Sequence, residues 1–152
     1  MRPKRSFSTS NSLRIVEFSP ELVQCYEALQ TSCEMFTALL SKHTILENIA
    51  LQNGFEDVSD LHQAIRIGQC NLADADKIGS EINKLGDLSI DAQQYMIKGD
   101  KTYKELKKSS EFNNLSYINK SKVLTALADS KHFHFKSEMK MLDEPIFTAG
   151  IN

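Results

Sequence analysis

A chain of 152 residues, 41% hydrophobic and 25% charged with no tryptophan, is long enough to bury roughly 70% of its unfolded surface in one domain without disulfide or metal staples. Three cysteines, Cys25, Cys33 and Cys70, make an odd set with no CxxC pair, which argues against a disulfide framework or a zinc knuckle and for reduced, small apolar residues. No apolar run approaches the roughly 18 residues a membrane span needs, and the formal net charge of -2 hides an uneven distribution.

Residues 1–14 carry four bases (Arg2, Lys4, Arg5, Arg14) and no acid, whereas residues 15–57 carry seven acids against Lys42 alone. Residues 58–97 are also acidic, and residues 98–152 reverse the balance with ten lysines against seven acids. An anionic partner would be met by the two ends of the chain and not by its middle.

The N-terminal MRPKRSFSTSNSLR is basic and Ser-rich, the composition of a flexible tail or of a short organelle-targeting segment. Pro3 interrupts any amphipathic helix there, which favours the tail, and a domain boundary is expected near residue 18. Ser19-Pro20-Glu21 reads as a helix start: a capping hydroxyl, a proline suited to the first turn and an acid at the positive end of the dipole. From there Leu22, Tyr26, Leu29, Cys33, Phe36 and Leu40 recur at steps of four and three, a seam toward a partner helix, and Asn53-Gly54 is the natural stop.

A second helix is expected from Ser59-Asp60 through Leu61, Ile65, Gly68, Leu72, Ala75, Gly79 and Ile82 to Gly86. Glycines on a seam serve either close approach of a neighbouring helix or a bend, and the pattern leaves both open for Gly68 and Gly79. A third helix opens at Ser89, with Ala92, Met96, Gly99, Tyr103 and Leu106 on its seam, and the polar stretch Ser109 to Asn114 ends it. The last begins near Ser116, carries Leu124, Ala128, His132, Phe135, Met139 and Leu142, and stops before Pro145, leaving a frayed tail over 145–152.

No segment alternates at period two, so the expected fold is all-α: an elongated antiparallel bundle of three or four long helices over residues 19–144, which one exposed seam could turn into a dimer. The dimer candidates are Leu22, Tyr26, Leu29, Phe36, Leu40, Leu124, Phe135 and Met139.

Catalytic chemistry finds no foothold. GxxxxGK[ST], GxGxxG and GxSxG are absent. Asp74 with Asp76, and Asp143 with Glu144, read as ordinary carboxylates of polar helix faces. His132-Phe133-His134 has a spacing of two, which points the imidazoles in different directions, with His132 on the seam as a core histidine and His134 outward. The expectation is therefore a protein that is not an enzyme, with no metal, no cofactor and no small-molecule substrate.

The lysines Lys98, Lys101, Lys104, Lys107, Lys108, Lys136 and Lys140 are the candidates for contact with an anionic membrane surface, although acids such as Glu105 and Glu138 interrupt them, as on any solvated helix face. With few arginines beside them and no recognition motif, nucleic acid is not the expected partner.

The run Ala126-Leu127-Ala128-Asp129-Ser130-Lys131-His132-Phe133-His134, continued by Phe135-Lys136-Ser137-Glu138-Met139, resembles the final BAR-domain helix of sorting nexins. Leu61-His62-Gln63-Ala64-Ile65, followed by Ile78-Gly79, is similar to the opening of that family's second BAR helix, so the likeness spans residues 55–142 with gaps. It implies a truncated or divergent member: a curved helical dimer at the cytoplasmic face of endosomal membranes, with lysines toward the lipid. The expected function is thus a self-associating membrane scaffold in endosomal trafficking or membrane remodelling. The alternatives are a soluble adaptor that offers a seam, foremost Leu22 to Leu40, to a helical partner protein, and a mitochondrial location if residues 1–14 are a targeting segment.

Overall fold

The computed structural model of the chain describes residues 18–142. The expected basic tail over 1–14 and the C-terminal tail from Pro145 lie outside the described residues. Helix α1 spans Pro20–Gln52. Ser19 is its N-cap, with Oγ accepting from the Leu22 amide at 3.2 Å, and Gly54 takes φ +85° just beyond its end, where a side chain would be strained.

Helix α2 spans Val58–Arg66 and starts slightly earlier than Ser59-Asp60 suggests, because Asp57 caps it by accepting from the Asp60 amide at 2.8 Å. Gly68 adopts φ +76° with open space around it, so it stops α2 and is not a point of close approach. Helix α3 spans Ala75–Leu106 without interruption, which overturns the break expected at Gly86 and the restart at Ser89. Glycine costs ~1 kcal/mol of helix propensity, and the burial of Ile82, Leu85 and Ala92 on either side of Gly86 outweighs it. The polar stretch after α3 holds a single helical turn, α4, at Ser110–Asn113, and α5 spans Tyr117–Leu142. Among the described residues there is no strand, so the fold is all-α.

Helix α1 lies between its two long neighbours, and at 33 residues it is roughly 50 Å long at 1.5 Å per residue. Its C-terminal half shares a core with the start of α3: Phe36, Leu39, Leu46 and Ala50 pack with Ile78, Ile82 and Leu85, and α2 adds Val58 and Leu61. Toward the other end Leu29 meets Gly99 and the Cys25 thiol donates to the Gly99 carbonyl at 3.3 Å, so α3 runs antiparallel to α1. Phe36 faces His134 and Glu47 faces Lys140, so α5 runs parallel to α1. Helix α4 closes one end with Phe112, buried beside Leu22, Cys25 and Tyr26 and edge-on to Tyr103 at 5.6 Å. Glu111 Oε2 accepts from the Ser19 amide at 2.7 Å, which ties this turn to the positive end of α1.

The glycines of α3 therefore differ in use. A Cβ on Gly99 would sit 2.6 Å from Leu29 Cγ and Cδ2 and 3.3 Å from the Leu29 amide nitrogen, and one on Gly79 would sit 3.1 Å from Ile65 Cγ2, whereas Gly86 has nothing within 4 Å. Gly99→Ala should destabilise the protein by about 1–3 kcal/mol through overpacking, and Gly86→Ala should stabilise it by about 0.5–1 kcal/mol. Urea denaturation of the two variants beside the wild type checks the opposite signs.

Candidate functional site

Of the lysine candidates, Lys98, Lys101 and Lys104 lie on α3, Lys107 and Lys108 in the turn that follows it, and Lys136 and Lys140 on α5. Lys104 Nζ lies 3.3 Å from Asp100 Oδ2, Lys131 Nζ lies 3.4 Å from Asp100 Oδ1, and Lys140 Nζ lies 3.3 Å from Glu47. Lys107 Nζ stands 5.8 Å from the centre of the Tyr103 ring. Among the described residues no carboxylate pairs with Lys98, Lys101, Lys108 or Lys136, and all four are exposed. Ile90, Ile97 and Lys101 follow one another at steps of seven and four, so they share one outward line on α3, and Lys108 lies in the turn just past its end. Ile90 is 55% exposed and Ile97 58% exposed.

The seam candidates divide sharply. Leu22, Tyr26, Leu29 and Phe36 are buried and Leu40 is half-buried, so the seam expected to be offered to a partner is covered by the protein's own helices. On α5 the expected seam is turned the other way: Leu124 is 43%, Phe135 59% and Met139 49% exposed, and Ala128 and His132 between them are exposed as well. The residues that α5 buries are Val123, Ala126, Ser130 and Ser137, with Phe133 half-buried among them. Both sets step by three and four, so the helix has two faces with a similar period, and the more apolar one points away from the core.

Hydrogen bonding favours the orientation observed. Ser32 of α1 is fully buried, and its hydroxyl pairs with that of Ser130, also fully buried, while Ser32 Oγ donates to the Leu29 carbonyl at 2.8 Å. Ser130 then donates to Ser32, and turning α5 over to bury Phe135 would lose that hydrogen bond, worth about 0.5–1.5 kcal/mol. The same orientation corrects the histidines. His132 is exposed, whereas His134 is half-buried, its ring 5.4 Å from that of Phe36 and its Nε2 3.5 Å from Glu138 Oε2. The inward row Val123, Ala126, Ser130, Phe133 and Ser137 also steps by three and four, and its two serines set it apart from an all-apolar seam.

A groove of about 540 Å³ runs between α1 and α5 beside Tyr26, Gln30, Cys33, Tyr117 and Ile118. Burial pushes the thiols of Cys25 and Cys33 up to about 11, with Asp100 beside the first and Asp129 and Glu34 beside the second adding to the shift, so both are protonated at neutral pH. All three cysteines are free, Cys25 buried and the other two half-buried. Among the described residues no three His, Cys, Asp or Glu side chains gather as a metal site, and no helix is long and apolar enough to cross a membrane. Asp74 and Asp76 are exposed at the start of α3, and Asp143 and Glu144 lie outside the described residues. Comparison with protein-family models, with curated proteins and with solved structures finds no match.

Two histidines are buried in the bundle. Desolvation lowers the pKa of His43, with Lys140 adding to that effect and Glu47 and Asp57 opposing it. Desolvation also lowers His62, assisted by Arg66 and opposed by a hydrogen bond with Asn83. Below the unfolded value of 6.5 the unfolded chain takes up protons that the fold refuses, so their contribution is complete above that pH and is lost as pH falls. The melting temperature should drop between about pH 7 and pH 5.5, and His43→Leu should flatten that slope, as thermal melts across the window would register.

Proposed function

We propose that this protein is a non-enzymatic helical interaction module whose outward α5 face docks another helix. The observation that carries the reading is the stripe of Leu124, Phe135 and Met139, exposed on a helix that the bundle holds rigidly from its opposite side. An apolar line recurring by three and four is the geometry by which one helix receives another. The bundle supplies the platform: α1 anchors α5 through Ser32 with Ser130 and Glu47 with Lys140. This keeps the adaptor reading and moves its docking seam from the first helix to the last. A photo-crosslinker at position 135, introduced in cells, should yield a covalent adduct of discrete mass, whereas one at position 45, on an exposed part of α1, should not. No adduct at 135 would refute the docking role.

A second reading is favoured by the line of Ile90, Ile97 and Lys101 on α3, with Lys108 in the turn past its end. Two exposed isoleucines leading into unpaired lysines suit a helix laid side-on against an anionic membrane, each lysine contributing about 1 kcal/mol at low salt. Together with the likeness to sorting nexin BAR helices, it supports a scaffold at an endosomal membrane surface. The protein should then co-sediment with acidic vesicles, lose that binding as salt rises, and lose it in the K101E/K108E variant; equal recovery with neutral vesicles contradicts the reading.

A further inference from the structure

We infer that the occupant of the outward α5 face is the α5 of a second copy of this chain, laid antiparallel across a two-fold axis between residues 133 and 134. This rests on the reading of that face as a docking surface. Ala128, His132, Phe135 and Met139 occupy alternating core positions of a heptad, and an antiparallel pairing about that axis maps the four onto themselves. Ala128 then meets Met139 of the second copy and His132 meets Phe135, so small faces large at the outer layers and imidazole faces a phenyl ring at the inner ones. An interface made of the same patch twice is what a two-fold dimer requires.

The charges beside the stripe agree with this register. One flank holds Asp129 and Lys136, the other Lys131 and Glu138, and all four are exposed. In antiparallel heptads each flank meets its own copy. The pairing therefore sets Asp129 against Lys136 of the second copy and Lys131 against Glu138, each twice by symmetry. A parallel pairing would instead bring Lys131 beside Lys136 of the other chain. Within the chain Lys131 already touches Asp100 and Glu138 lies near His134, and both side chains are 54% exposed, so they can swing outward. Among the described residues Asp129 and Lys136 have no ion-pair partner within the chain, which makes their flank the sharper probe.

The self-paired stretch from Ala128 to Met139 is about 18 Å long, short for a stable dimer, so association is expected only at elevated concentration. Sedimentation equilibrium of the full chain should show a monomer–dimer equilibrium. Asp129→Lys or Lys136→Glu alone sets like charges opposite each other twice and should weaken it at least about tenfold. The D129K/K136E swap restores opposite charges and should bring the dimer back, which neither a parallel dimer nor an unrelated partner predicts. Circular dichroism confirms that each surface variant remains folded.

A chain that stays monomeric at about 1 mM, or single variants that the swap does not rescue, would overturn the inference. The adduct at position 135 separates this failure from that of the docking role. A discrete mass other than twice 17.2 kDa removes the second copy and leaves docking in place, whereas absence of any adduct removes both.

Discussion

Leu29 rests on Gly99 so closely that the space a single methyl group would need is already filled. That approach brings the backbones of α1 and α3 together, and the Cys25 thiol reaches the Gly99 carbonyl as part of it. Helix α1 is thereby fixed with two faces to cover. One is taken by α3 along its length, and the other is left for α5. The terminal core of Leu22, Tyr26 and Phe112 and the larger one around Phe36 and Leu85 flank this contact on either side. A shift at Leu29 and Gly99 would disturb both.

The role of α5 follows from what α1 presents to it. Ser32 is buried, and the helix that covers it presents Ser130, whose hydroxyl pairs with that of Ser32, and small neighbours such as Ala126. Small residues inward leave large ones outward. Leu124, Phe135 and Met139 are exposed on the face opposite that polar contact, along one side of α5. A rigid apolar line needs little ordering to receive a partner, which is the advantage of a pre-organised surface.

Charge completes the arrangement. Asp100 sits between Lys104 and Lys131 and joins α3 to α5, while Glu47 and Lys140 join α5 to α1. Lysines that look like one basic set along the chain are thus spent in part on internal pairing. Of the unpaired lysines, Lys98 and Lys101 lie on α3 with Ile90 and Ile97, Lys108 lies in the turn past its end, and Lys136 flanks the α5 stripe. The two surfaces have different chemistry: one is a charged face with two isoleucines, and the other an apolar seam edged by alternating charge.

The all-α class, the capped start at Ser19, the stop at Asn53-Gly54 and the inward positions Leu22, Tyr26, Leu29 and Phe36 were legible in the amino acids, because caps, left-handed glycines and three-and-four spacing act over a few residues. Gly68 and Gly79 could not be told apart that way: one ends α2 and the other receives Ile65, and only the position of a neighbouring helix distinguishes them. The continuity of α3 through Gly86 was hidden for the same reason, since the packing that outweighs its propensity comes from α1. Helix α5 shows the limit most clearly. Its two periodic faces differ by about half a turn, hydrophobicity favours the one with Leu124, Phe135 and Met139 as the interior, and the face packed inward is instead the one whose Ser130 meets Ser32, far away in sequence.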